Sequence, residues 1–306
     1  MKLVTYRVGG GTPRPGAVVD DSIVDLSADV RTLLELIEGG AAALELARRT
    51  VAARASVVAL GAAELLAPIR EPRRNVFCVG WNYLKHYKEG VGKRGSQEEQ
   101  LPDHPSLFTK ATMSVIGPGA DIPFDASISP LLDYEAELGV IIGRRARSIR
   151  AEHALDAIFG YTVGNDVSVR DIQRRHGGQW LKGKSFDGTC PIGPWIVTAD
   201  EIPDPQDLRV QCRVNGVLKQ DDTTGNMIFP VRKIIEELSL GMTLLPGDIV
   251  LTGTPDGVGF ARTPPEYLKP GDEVVVTIEG VGELSNRVAA RALSEETPSM
   301  AVGEPA

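Results

Sequence analysis

The eight residues GQWLKGKS (residues 178–185) match the phosphate-loop pattern G-x-x-x-x-G-K-[ST] letter for letter. How they are read decides the fold. The pattern has physical meaning only between a buried strand and a helix N-terminus, where backbone N–H groups and the helix dipole converge on an anion. Upstream stands IQRRHG, the end of a polar helical segment, and downstream FDGTCPIGPW, whose Gly and Pro residues cannot continue a helix. The match is therefore read as accidental, and Lys184 needs another role.

Working outward, the chain from NVFCVGWNY onward is rich in strand patterns: LGVIIG, FGYTVGND, PWIV, RVQCRVNG, DIVLTG and EVVVTIEGVGEL. Two convincing helices interrupt them, SVRDIQRR and FPVRKIIEELSLG. This is an α+β, strand-dominated pattern without the regular strand–helix alternation of a doubly wound sheet. Before it, KLVTYRV, GAVVDD and SIVDLS read as short strands, and VRTLLELIEGG and the Ala-rich run after it as helices. The segment APIREPRRN, with two prolines and four charges, marks a boundary near Pro72. The expected organisation is a small N-terminal α/β domain over 1–71, a catalytic domain over 72–296 and a flexible tail over 297–306.

The 306 residues suffice for a sizeable core, and 42% apolar with 24% charged residues is ordinary for a soluble globular protein. A formal charge of −8 argues against a nucleic-acid binder. No stretch has the length of a membrane span, and the start lacks a signal-peptide apolar region, so a cytoplasmic location is expected. Cys78, Cys190 and Cys212 stand far apart, which indicates neither a disulfide framework nor a thiolate zinc site.

In LLDYEAELGVIIG (residues 131–143) the even positions from Tyr134 to Ile142 are all apolar, which makes one continuous strand face. Glu135 and Glu137 then point to the other side, roughly 7 Å apart. On spacing alone, a half-exposed strand with two solvated acids is the simpler reading. The second acidic segment, FGYTVGNDVSVRDIQ, shifts the weight: Asp166 ends an apolar strand, where site residues are commonly presented. Ser168 is placed to cap the helix that follows, with Asp171 three residues on. Arg170 and Gln173 share a face of that helix. Three carboxylates without His or Cys suit a hard cation, Mg²⁺ or Mn²⁺ ahead of Ca²⁺.

In GWNYLKHYKEG, His86 and Glu89 are at i and i+3 and meet if the segment is helical. A carboxylate that orients an imidazole makes a general base near neutral pH, although a lone H-x-x-E also suits a surface histidine. The charged stretch KEGVGKRGSQEEQLPDH that follows is read as a mobile lid or a long surface loop.

With these residues in place, the chain resembles the fumarylacetoacetate hydrolase family. The resemblance is carried by FCVGWNYLKHYKE, PSLFTKATMSVIGPG, DYEAELGVIIG, GYTVGNDVSVRDIQ, QWLKGKSFDGTCPIGPWIV, FPVRKIIEELSLGMTLLPGDIVLTGTPDGVG and LKPGDEVVVTIEGVGELSN, in family order across most of residues 75–287. It implies a mixed β-sandwich or rolled barrel, usually dimeric. It also implies a divalent metal on Glu135, Glu137 and Asp166, and a water-activating dyad of His86 and Glu89. Lys184 would contact substrate oxygens, with Arg170, Gln173 and Thr254 lining the substrate pocket. One departure is Trp81, at a position before Asn-Tyr that in relatives is often Arg or a smaller residue.

The function expected from this is Mg²⁺-dependent hydrolysis of a C–C bond in 2,4-dioxo acids of the acylpyruvate type, through a pyruvate enolate. The nearest alternative is a decarboxylase, tautomerase or isomerase acting on a 2-oxo or β-keto acid such as oxaloacetate. From a different class stands a non-catalytic protein that binds metal or organic acids. The expected partners are a small organic acid and a second copy of the chain.

Overall fold

The computed structural model describes residues 1–54, 56–93 and 101–291. A twelve-stranded mixed sheet forms its centre. Along its main path the strands run Val57–Ala59, Ser22–Asp25, Arg14–Val19, Lys2–Arg7, Cys190–Thr198, Ile158–Asn165, Ala136–Ile142, Ile249–Leu251, Val76–Gly80 and Ser106–Lys110. A five-stranded sheet follows the order Val217–Thr223, Arg209–Val214, Glu273–Ile278, Gly282–Ala290 and Ile122–Phe124. The architecture is strand-dominated and mixed, as the pattern of the sequence implies. Three short helices, Leu84–Glu89, Ala151–Ala154 and Leu181–Lys184, add to the two expected after residue 75.

The N-terminal strands do not stand apart. Lys2 and Leu3 pair with Val197 and Ile196, so the leading meander extends the central sheet. Leu33, Leu36 and Ile37 of helix Leu33–Glu38 share one apolar cluster with Val76, Cys78, Ile141, Ile192, Ile249 and Leu251. Ala136, Leu138, Val140 and Ile142 belong to a second cluster, with helix Val231–Ser239 and the five-stranded sheet. The alternation in Ala136–Ile142 is thus real, but both faces are covered and all seven residues are buried. The half-exposed strand suggested by spacing is corrected: Ile141 on the odd face is buried in a cluster that includes side chains from residues 1–70, a layer that local periodicity cannot reveal.

A second correction concerns Ser168. It does not cap a helix; Ser168–Val169 pairs with Leu132–Asp133, and helix Arg170–Arg175 starts after it without a side-chain cap. The Ser168 hydroxyl instead donates to the Asp166 carbonyl. Strand pairing captured the residues that the capping pattern assigned to a helix start. The tail expected over 297–306 lies outside the described residues, as do residues 94–100 of the expected lid.

Candidate active site

The core of the site is made by one antiparallel pair. Ala136–Ile142 and Ile158–Asn165 run in register from Ala136 opposite Asn165, so Glu135 and Asp166 emerge side by side at the same end. Two clips hold them there: the Glu135 N–H donates to Asn165 Oδ1 (3.0 Å), and the Asp166 N–H donates to the Glu135 carbonyl (2.9 Å). Glu137 lies two residues in, and its Oε2 accepts from the Gly253 N–H at 2.7 Å. Gly253 has φ of 96°, and a Cβ there would meet Asn82 Cβ at 2.6 Å, so glycine is required for this approach. Asn82 joins the surrounding loops by donating to the Phe229 and Thr252 carbonyls and accepting from the Phe229 N–H.

Glu135, Glu137 and Asp166 each present a ligand oxygen, all within 4.8 Å of one another, and all three are buried. Cations surround them. Lys184 Nζ donates to Glu135 Oε2 and Asp166 Oδ2, both at 2.6 Å. Lys110 is fully buried behind them; its Nζ donates to the Val167 carbonyl (3.0 Å) and lies 2.8 Å from Asp166 Oδ1, an ion contact without hydrogen-bond geometry. Arg170 donates from Nη2 to Glu135 Oε1 (2.6 Å) and from Nε to Asp133 Oδ2 (2.8 Å). Its Nη1 reaches Gln173 Oε1 at 3.2 Å, as their shared helix face implies.

The electrostatics of this cluster favour a further cation. With all four ionised, Asp133, Glu135, Glu137 and Asp166 would carry one more negative charge than Lys110, Lys184 and Arg170 balance. Burial alone would raise the Glu135 carboxyl, but Arg170 and Lys184 outweigh it and hold the group well below the usual carboxylate range. Glu137 goes the other way: burial, then the charges of Asp166 and Glu135, push it well above that range. Lys184 is held charged, because Asp166 and Glu135 overcome the desolvation of its ammonium. A hard divalent ion fits this donor set, being matched by oxygen-only ligands and relieving the repulsion focused on Glu137.

His86 and Glu89 meet as their spacing suggests. Helix Leu84–Glu89 brings His86 Nδ1 to 2.7 Å from Glu89 Oε1, while Glu89 Oε2 accepts from the Gly257 N–H at 2.8 Å. The imidazole is buried and lines one cleft with Glu135, Glu137, Arg170, Gln173, Lys184 and Thr254. Among the expected site residues, Asp166 and Glu89 stand just behind that lining, in contact with Lys184 and His86. Thr254 Oγ1 accepts from Gln220 Nε2 (2.7 Å), whose Oε1 in turn accepts from the Ala136 N–H, tying the threonine to the metal-side strand.

Lys184 lies in the last turn of helix Leu181–Lys184, the wrong end for a phosphate loop.

Sequence reasoning missed Lys110, Asp133, Arg174, Trp180 and Phe260. Asp133 accepts from the backbone N–H groups of Tyr134, Gly259 and Phe260 as well as from Arg170. Phe260 carries the Arg170 and Arg174 guanidinium groups 4.5 and 5.0 Å from its ring centre. No local signal marks these residues, because each is defined by a partner distant in sequence.

A family model, Fumarylacetoacetate (FAA) hydrolase C-terminal, matches residues 75–289. The chain belongs to the fumarylacetoacetate hydrolase superfamily of enzymes. It is 42% identical over 300 residues to rat (Rattus norvegicus) oxaloacetate tautomerase Fahd2a, a mitochondrial protein, across 94% of this chain and 91% of the relative. A solved structure of a fumarylacetoacetate hydrolase from Exiguobacterium antarcticum superposes with a TM-score of 0.81 at 40% identity, covering 95% of this chain and 100% of the other. Maleylpyruvate hydrolase from Sphingobium sp. SYK-6, solved with manganese (II) ion and pyruvate, superposes with a TM-score of 0.77 at 28% identity, covering 95% and 99%.

Proposed function

We propose that this protein is a divalent-metal-dependent tautomerase that interconverts the keto and enol forms of oxaloacetate. The observation that carries the reading is one buried cleft lined by two acids of a three-carboxylate cation site, a charged lysine and a carboxylate-held histidine. The rat tautomerase, similar over nearly the whole chain, supports the same substrate.

Tautomerisation moves a proton between C3 and the C2 oxygen and needs negative charge on that oxygen to be stabilised on the way. A divalent ion on Glu135, Glu137 and Asp166, Mg²⁺ or the Mn²⁺ of the maleylpyruvate hydrolase, would supply electrophilic stabilisation of that charge. Lys184 adds a fixed positive charge beside the same carboxylates. Glu89 occupies His86 Nδ1, so proton transfer by this ring falls to Nε2. Arg170 is committed to Asp133 and Glu135, and its part is to hold Glu135 in place. Arg174 lines the cleft from the same helix, and its guanidinium is the group we assign to the distal carboxylate that distinguishes oxaloacetate from pyruvate.

Acylpyruvate hydrolysis, the leading expectation from sequence, becomes the second reading. It is supported by the similarity to maleylpyruvate hydrolase, solved with pyruvate, and it asks the same histidine to activate a water. The two separate in one assay pair: decay of enol-oxaloacetate absorbance, and pyruvate release from acetylpyruvate, each with Mg²⁺. Accelerated enol decay with slow or absent pyruvate release supports the tautomerase. Pyruvate release without accelerated enol decay rejects it in favour of hydrolysis. The proposed homodimer is tested by sedimentation of the intact chain.

A further inference from the structure

Trp81 has no part in the chemistry above. Its backbone lies in the left-handed region with φ of 54°, where a bulky aromatic is an outlier and Gly or Asn is at ease. Such a conformation persists only where its surroundings impose it. Here the indole packs edge-on against Trp180 (ring centres 4.8 Å apart) and Tyr87 (6.2 Å), and Trp180 packs in turn against Phe108 (5.1 Å). Gly80, the neighbour in sequence, leaves this stack no slack, since a Cβ there would stand 2.3 Å from the Trp180 ring.

Trp81, Phe108, Trp180 and Phe260 line the same cleft as Glu135, Glu137 and Lys184. The cleft is small, with a cavity volume of about 30 Å³. The apolar faces of these rings impose a limit on length and bulk.

We propose that Trp81 is a specificity-determining residue whose indole, braced by Trp180 and Tyr87, restricts the site to short 2-oxo acids and refuses those with long acyl chains. The inference rests on the reading of the cleft as a 2-oxo acid site. It adds a reason for a C4 acid to be accepted where longer acylpyruvates are not.

The test is direct binding, by calorimetry, of pyruvate, 2-oxobutanoate, 2-oxohexanoate and 2-oxooctanoate to the full chain with Mg²⁺. Wild type is expected to lose affinity as the chain lengthens, because a closed pocket discriminates by about 10–200-fold per methylene. Trp81→Gly suits the left-handed backbone and removes the ring, and it should cut the long-to-short ratio of Kd by about tenfold or more. Trp81→Asn, which also tolerates this φ, carries the comparison if melting shows the glycine variant unfolded. A wild type that binds 2-oxooctanoate as tightly as pyruvate overturns the inference, as does an unchanged ratio in a folded variant. In both of those cases the tautomerase reading stands. A wild type that binds none of the series overturns the two together.

Discussion

Replacing Glu137 by Gln tests the cation site through stability alone. Glu137 is 1% exposed, and its ligand oxygen lies within 4.8 Å of those of Glu135 and Asp166. At an effective dielectric of about 20, like charges at that separation repel by about 3 kcal/mol per pair before Lys184 offsets part of it. Burial and these two charges raise the Glu137 pKa well above its unfolded value. The native state without metal therefore keeps a proton that the unfolded chain releases, and this group makes folding less favourable as pH rises from about 4.3 toward the raised value. The slope is about 1.4 kcal/mol per pH unit within that window. Gln does not titrate and can still accept from the Gly253 N–H. Chelator-treated Glu137→Gln should thus melt progressively higher than wild type as pH rises, by about 2 °C per kcal/mol. Saturating Mg²⁺ should narrow the gap, because wild type gains about 2.7 kcal/mol at a hundredfold excess over Kd and the variant gains little. Melting curves from about pH 4.5 upward, with and without Mg²⁺, are the assay. A constant gap across pH without metal, together with equal stabilisation of both proteins by Mg²⁺, would refute the reasoning.

The same proton links metal affinity to pH: Mg²⁺ must displace it, so calorimetric Mg²⁺ affinity should tighten as pH rises through the Glu137 window. Flat affinity would count against Glu137 as a ligand. His86→Ala should slow enol decay by about 10²–10⁴-fold while pyruvate binding survives, and wild-type rates in that variant would return His86 to a structural role. Lys184→Met should lower turnover by about 10²–10³-fold, and ATP should bind neither protein; Mg²⁺-dependent ATP binding lost in the variant would revive the phosphate loop. Asp133→Asn breaks a buried ion pair with Arg170 and turns an amide toward backbone donors, so urea denaturation should report a loss of about 3–5 kcal/mol. A loss below 1 kcal/mol would show that Asp133 is not the anchor of Arg170.

Much of this protein is legible from local chemistry. The period-two alternation from Tyr134 to Ile142 marks a strand, and the glycines and prolines after Ser185 exclude a phosphate loop. The three-residue spacing of His86 and Glu89 becomes a 2.7 Å contact because a single helical turn suffices to make it. Motif order across residues 75–287 carries the family and, through it, the candidate residues.

Tertiary structure alone decided what those residues face. On the odd side of the Ala136–Ile142 strand, Ile141 joins an apolar cluster that draws on Leu33, Leu36 and Ile37, about a hundred residues earlier. The pairing of Glu135 with Asp166 follows from one strand register, and that of Arg170 with Asp133 from another, Ser168–Val169 against Leu132–Asp133. Lys110 on Asp166 and the Trp81–Trp180 stack likewise join segments that no local pattern connects. The physical reason is common to all of them. Alternation and helical spacing act over a few residues, whereas burial, charge pairing and cavity shape are properties of surfaces brought together from distant parts of the chain.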